Sequence, residues 1–233
     1  MMDFDRYVNN YSDQVSGAVR LPACGNDFFL AAKGIQLLKL LNAHFGGTSK
    51  LRILDVGCGI GLLERQLVGA ASLLIGVDVA TDAVCFARKS VPEASFVGYD
   101  GLQLPFAECA FDVAVAVCVF HHVEPGHHQA LVREMARVVR PGGIVAVFEH
   151  NPWNPATRIV VSRCEFDRDA TLLSAPTVAT LMRGAQLEHV QQRYLFFFPW
   201  LGRLWRTIED YLGWLPLGAQ HMTSATRSEK QRS

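Results

Sequence analysis

The 233-residue chain is half apolar and 19% charged, so it can bury the core of one α/β domain and is neither disordered nor low-complexity in composition. Its 22 basic residues balance 22 acidic ones, which removes the broad positive footprint of a nucleic-acid binder, and no nucleic-acid partner is expected. The six cysteines form no C-x-x-C pair, the N-terminus lacks the basic start and apolar core of a signal peptide, and no run reaches about 18 apolar residues; a reduced, cytoplasmic protein without a membrane span is expected.

In chain order, residues 1–50 read as an N-terminal helical segment, because 27–45 repeat apolar side chains at helical spacing up to Gly46-Gly47. The apolar run LRILDVG (51–57), the helical pattern LLERQLVGA (62–70) and the apolar run SLLIGVDVA (72–80) make one β-α-β unit. Helix 81–90, a short strand near 95–97, strand 111–119, helix 126–140 and strand 143–150 continue the alternation, with Pro141-Gly142-Gly143 as a tight turn leading into that last strand. Valine-rich strands without polar alternation are those of a parallel sheet covered on both faces, which predicts a doubly wound, Rossmann-like α/β/α sandwich. Beyond it, 151–175 read as irregular, 176–184 as a helix, and 187–198 and 218–226 as a strand pair. Between that pair lies an aromatic helical insertion, 199–217, bounded by Pro199 and Pro216. The expectation is a single domain over 1–233, with residues 51–150 as a cofactor half and 151–233 as a substrate-side half.

The sharpest local feature is LDVGCGIG (54–61), a glycine-rich turn from strand to helix. Glycines there let a ligand approach the backbone and leave helix N-terminal amides free. Asp78, 21 positions after Gly57, stands where a carboxylate accepts from both hydroxyls of a ribose. The alternatives are a tight turn without a ligand, and Asp78 as the N-cap of the next helix. A nicotinamide-dependent oxidoreductase uses a similar pair. Leu62 stands, however, where the dinucleotide fingerprint needs a third small residue, and there is no Tyr-x-x-x-Lys relay. Asp55 would repel a diphosphate but suits a cofactor carrying an ammonium and a sulfonium.

Five motifs in order, LDVGCGIG (54–61), GVDVA (76–80), YDGLQLPF (99–106), VFHHV (119–123) and ARVVRPGG (136–143), resemble the class I S-adenosylmethionine-dependent methyltransferases over about residues 51–150. The resemblance implies a seven-stranded, mostly parallel sheet whose last strand is antiparallel, with S-adenosylmethionine as cofactor and S-adenosylhomocysteine as product. It implies that Gly57 and Gly59 line the methionine half and Asp78 the ribose. Asp100 would meet the adenine with Gly101 nearby, and the backbone around Cys118 would face the methionine ammonium. Asp55, Cys58 and Val79 complete the cofactor set, and Tyr11 either closes over the cofactor or packs in the core.

Such a donor carries an already activated methyl, so alignment is the main task, and an oxygen acceptor additionally needs a base. Candidates on the loops after the fourth and fifth long strands are His150 first, then Glu149 and His121, with His122 read as positional. The adjacent pairs His121/His122 and His127/His128 point apart on a helix and lack cysteine partners, so no metal is expected. Segment 194–218 reads as a lid, a partner patch such as a homodimer face, a membrane-surface helix or buried packing; Glu209 and Asp210 interrupt a basic face and favour lid or partner patch. With EHNPWNP (149–155), this tail also resembles bacterial methyltransferases found with sugar enzymes. The expected function is methyl transfer to an oxygen or nitrogen of a small acceptor, apolar, glycosylated or lipid-linked. The alternative is the same fold put to cyclase, lyase or cofactor-binding use.

Overall fold

The structure, a computed structural model, describes residues 26–164, 170–198 and 203–229. Tyr11 lies outside the described residues, as do 199–202 of the aromatic insertion.

Helix α1 (Asn26–Phe45) buries Leu37 and Leu41 and leaves Lys39 exposed. It stops where Gly46 turns left-handed, φ 74°, and its N–H donates to the Asn42 carbonyl at 2.9 Å. The chain then alternates through β1 (Arg52–Val56), α2 (Leu62–Leu67), β2 (Leu73–Asp78), α3 (Thr81–Ser90), β3 (Ser95–Gly98), β4 (Phe111–Val117), α4 (His128–Val138) and β5 (Val139–His150). It ends with α5 (Pro155–Arg163), α6 (Ala175–Gly184), β6 (Leu187–Leu195), α7 (Arg203–Leu212) and β7 (Gln220–Arg227). The sheet order is β3-β2-β1-β4-β5-β7-β6. The first five of these strands are parallel, and β7 runs antiparallel to both β5 and β6.

Successive strand residues point to opposite faces, and here both faces are apolar. Leu54, Ala114, Val145 and Val147 pack under Met135 of α4 and Met182 of α6. Ile53, Val113, Val115 and Phe148 pack under Leu37 and Leu41 of α1 and Leu63 and Leu67 of α2. Helices therefore cover both sides of the sheet, and the carboxyl ends of β1, β2, β4 and β5 open along one edge.

Several segments differ from the sequence-based expectation. Strand β5 starts at Val139, and Pro141-Gly142-Gly143 bulges within it: the register steps from Phe111↔Val139 to Val113↔Ile144. Backbone crowding explains the glycine, since a Cβ on Gly143 would lie 2.5 Å from the Asp112 carbonyl. Residues 155–163 are not irregular but form α5, with Pro155 in its first turn and Asn154 capping the Thr157 N–H at 3.1 Å. Helix 126–140 divides into a 3-10 turn, Pro125–His127, and α4. Within 199–217 the helix is α7, followed by turns up to β7.

Candidate functional site

At the end of β1 the chain reverses through Gly57 (φ 79°) and Gly59 (φ 52°), and the N–H groups of Gly57 and Cys58 both donate to the Val77 carbonyl. A Cβ on Gly57 would overlap the methyl groups of Val119, whereas one on Gly59 would meet nothing within 4 Å. The first glycine is required by the fold, and the second opens onto space. Asp78, at the end of β2, accepts from the Gly59 N–H at 2.7 Å through Oδ2 and from the Ala80 N–H at 2.9 Å through Oδ1. Ala80 occupies the cap position of α3, so Asp78 holds the glycine turn rather than capping that helix. Beside it, Val79 is exposed and touches the position a Cβ on Gly101 would take. Asp100 accepts from the Leu102 and Gln103 N–H groups, which hold its carboxyl below the usual range.

Behind this turn lies an acidic pair of which sequence reasoning found only one member. Asp55 and Glu64 of α2 are both buried, and no donor among the described residues reaches Asp55 Oδ1 or either Glu64 oxygen. Burial, then the neighbouring carboxylates, raises both groups, Asp55 to about 7 and Glu64 well upward. Gly76 of β2 makes room for them, since a Cβ there would overlap Glu64 Oε1. The same burial and acidic neighbours push the Cys58 thiol far up, so Cys58 is a neutral packing group. A buried acidic centre behind a glycine turn fits a cationic ligand and opposes a diphosphate.

Val119, packed on Gly57, joins this half to a second cluster. Cys118 sits at φ 57°, its N–H donating to the Phe148 carbonyl and its Sγ 3.1 Å from Nζ of Lys33, a buried side chain of α1. Burial raises the thiol, but the charges of Lys33 and His150 outweigh it and bring it down to about 7. His121, on the 3-10 turn Phe120–His122, places Nδ1 2.6 Å from Glu149 Oε2, and Glu149 Oε1 accepts from the Phe120 N–H at 2.8 Å. Glu149 is wholly buried. Burial raises its carboxyl, but His121, by charge and hydrogen bond, and then His150 and His221 hold it down to about 2. The His150 ring lies 5.2 Å from that of His121 and its Nδ1 accepts from Gln220 Nε2 at 3.3 Å. Burial lowers the His221 imidazole below its ordinary value, and its Nε2 lies 2.9 Å from the Leu173 carbonyl.

The structure thus brings Cys118, His121, Glu149 and His150 together on one side of Gly57, and Asp55, Cys58, Gly59 and Asp78 on the other. His128 is not part of the cluster: its Nε2 is spent on the Phe120 and Val123 carbonyls and fixes the turn that carries His121. Lys33, Glu64, Gln220 and His221 carried no local signal. They arrive through packing of α1 and α2 and the pairing of β7 with β5.

Residues 53–143 match the family described as a methyltransferase domain. The demethylmenaquinone methyltransferase of Beutenbergia cavernae is 34% identical over 106 residues, which are 45% of this chain and 43% of that protein. The chain spans about half the length of the first curated relatives it matches. An S-adenosylmethionine-dependent methyltransferase of Thermotoga maritima has the same fold, with a TM-score of 0.69 at 20% identity over 97% of this chain and 98% of that one. The [4+2]-cyclase SpnF has it too, with a TM-score of 0.67 at 17% identity over 97% of this chain and 94% of that one. With its motifs in order and β7 inserted antiparallel between β5 and β6, the chain has the fold of the class I S-adenosylmethionine-dependent methyltransferases, and residues 53–143 match a methyltransferase domain.

Proposed function

We propose that the protein transfers the methyl group of S-adenosylmethionine to a hydroxyl of a small apolar or lipid-linked acceptor, with His150 as the base. The cofactor supplies a methyl already activated on a cationic sulfur. The chain's residues supply the rest: the Gly57–Gly59 turn and Asp78 bind, the Asp55/Glu64 centre favours positive charge, and the second cluster handles a proton. That cluster carries the reading. A nitrogen acceptor with a lone pair needs no base, whereas a hydroxyl must lose its proton as it is methylated. His150 is half-buried and reachable, while His121 and Glu149 are enclosed behind it. The Glu149 carboxylate stabilises the imidazolium that forms when His150 takes the proton, and His121 holds Glu149 in place. The name of the Beutenbergia relative points to a quinone as its acceptor, which supports an apolar ring compound here.

The test is calorimetric titration with S-adenosylmethionine, S-adenosylhomocysteine and NADH, followed by a methylation screen over phenols, alcohols and amines. The expected result is binding of the first two alone and transfer to a hydroxyl. His150→Ala should lower kcat about 100-fold with cofactor affinity unchanged. Cofactor binding with no transfer to any acceptor would favour the cyclase-type use of the fold, and NADH binding alone would sink the proposal.

A further inference from the structure

The segment joining β6 to β7 was read from sequence as too acidic for a strongly basic membrane-facing helix, on account of Glu209 and Asp210. Both carboxylates are engaged with the body of the protein. Glu209 Oε1 accepts from the Phe197 and Phe198 N–H groups, at 2.9 and 3.2 Å. Asp210 receives Lys39 at 2.7 Å, Arg193 at 2.8 Å and Gln36 at 3.3 Å. The outward side instead presents Tyr211 and Trp214, 78% and 74% exposed, and Leu217.

A second segment lies against it. Asn154 Nδ2 donates to the Leu217 carbonyl at 2.6 Å, and Asn151 Nδ2 donates to the carbonyls of Pro216 and Gly218. These bonds set the loop that follows β5, with exposed Trp153, beside the loop that precedes β7, and α5 continues the surface with exposed Ile159. The sequence of α5 holds two exposed cations, Arg158 and Arg163, and no acidic residue. Among the described residues of 151–164 and 203–219, Glu209 and Asp210 are the only carboxylates, and both are tied inward; Glu165, Asp167 and Asp169, next in the sequence, lie outside the described residues.

We infer that this face, Trp153, Ile159, Tyr211, Trp214 and Leu217 with Arg158 and Arg163, docks on the surface of an anionic lipid bilayer. Tryptophan and tyrosine combine an apolar body with a polar tip, and the headgroup region satisfies both. The cations decide between occupants. Among its described residues the face has no outward carboxylate, so a second copy pairing with it in a twofold contact would offer the arginines no opposite charge, whereas an anionic leaflet attracts them. The position fits as well: His150 ends β5 immediately before the Trp153 loop, and Gln220, its hydrogen-bond partner, begins β7 immediately after the Leu217 loop. The docked face therefore lies beside the cluster that holds His150. The inference does not depend on which atom accepts the methyl group.

The test is co-sedimentation of the whole protein with vesicles of phosphatidylcholine alone and of phosphatidylcholine mixed with phosphatidylglycerol, alongside sedimentation velocity without lipid. The expected result is salt-sensitive binding to the mixed vesicles and a monomer in solution. W153S/W214S should weaken vesicle binding at least about tenfold through lost apolar burial. R158Q/R163Q, confined to exposed side chains, should weaken binding to the anionic vesicles, with S-adenosylhomocysteine affinity kept in both variants. Failure to bind the mixed vesicles, equal binding to both vesicle types, or indifference to both variants overturns the inference. A dimer that W153S/W214S dissociates overturns it in favour of a second copy.

Discussion

Asp55 was legible as an acid at the glycine turn, but its partner was not, because Glu64 sits in a stretch, LLERQL, where a glutamate ordinarily faces solvent. The fold turns it inward, and Gly76 leaves the space it fills. Both carboxyls titrate above their ordinary values, so the folded state binds more protons than the unfolded chain between about pH 4 and pH 7. Stability from this pair is therefore present at the acid end of that window and lost as pH rises through it. Glu64→Gln puts a neutral amide of nearly the same shape beside Asp55 and removes one ionisation. The variant should melt at a higher temperature than the wild type at pH 7.5, and the difference should shrink toward pH 5. Thermal melts of both proteins across that range give the comparison; an equal slope with pH would show that the pair carries no buried charge. A cationic ligand reverses the local preference, since it favours the ionised pair.

Among the elements, α3 was found to the residue and β1, β2 and β3 nearly so, because strand-to-helix changes of hydrophobic period are local. Helix α5 was missed because residues 151–175, with Pro152 and Pro155 close together, read as irregular, although Asn154-Pro155 is a helix start when the proline falls in the first turn. The bulge in β5 was likewise hidden: a Pro-Gly-Gly sequence reads as a turn, and only pairing with β4 shows the strand resuming across it. The glycine turn after β1 depends in the same way on a neighbour from another strand. At Gly57, alanine meets both a left-handed backbone, φ 79°, and the methyl groups of Val119. Gly57→Ala should cost about 2–4 kcal/mol and abolish cofactor binding. Adding Val119→Ala should return part of the stability, by relieving the overlap but not the backbone strain. Denaturant titration of the two variants separates these contributions; no recovery in the double variant would mean that the backbone alone decides.

At the scale of the whole molecule, the residues that sequence could not connect are those brought together by sheet order. Lys33 reaches Cys118 from 85 positions away, and Glu149, a candidate base in the sequence, becomes the wholly buried partner of His121. The same holds for the join between the two halves of the chain, which converges on Asn151. This side chain is wholly buried, donates to the Pro216 and Gly218 carbonyls and accepts from the Trp153 N–H, while its own N–H donates to the Ala219 carbonyl. Alanine at 151 would leave two carbonyls without their donor, at a cost of about 2–4 kcal/mol. The backbone pairing of β5 with β7 does not pass through that side chain, so the loss should stay local. Hydrogen exchange should quicken at least about tenfold across 213–219 in Asn151→Ala while the amides of β1 and β4 keep their protection. If all of these amides quicken together, Asn151 supports the sheet as a whole. If only 213–219 respond, the loop is a separately stabilised unit on the edge of a sheet that holds without it, and its surface can change without disturbing the glycine turn.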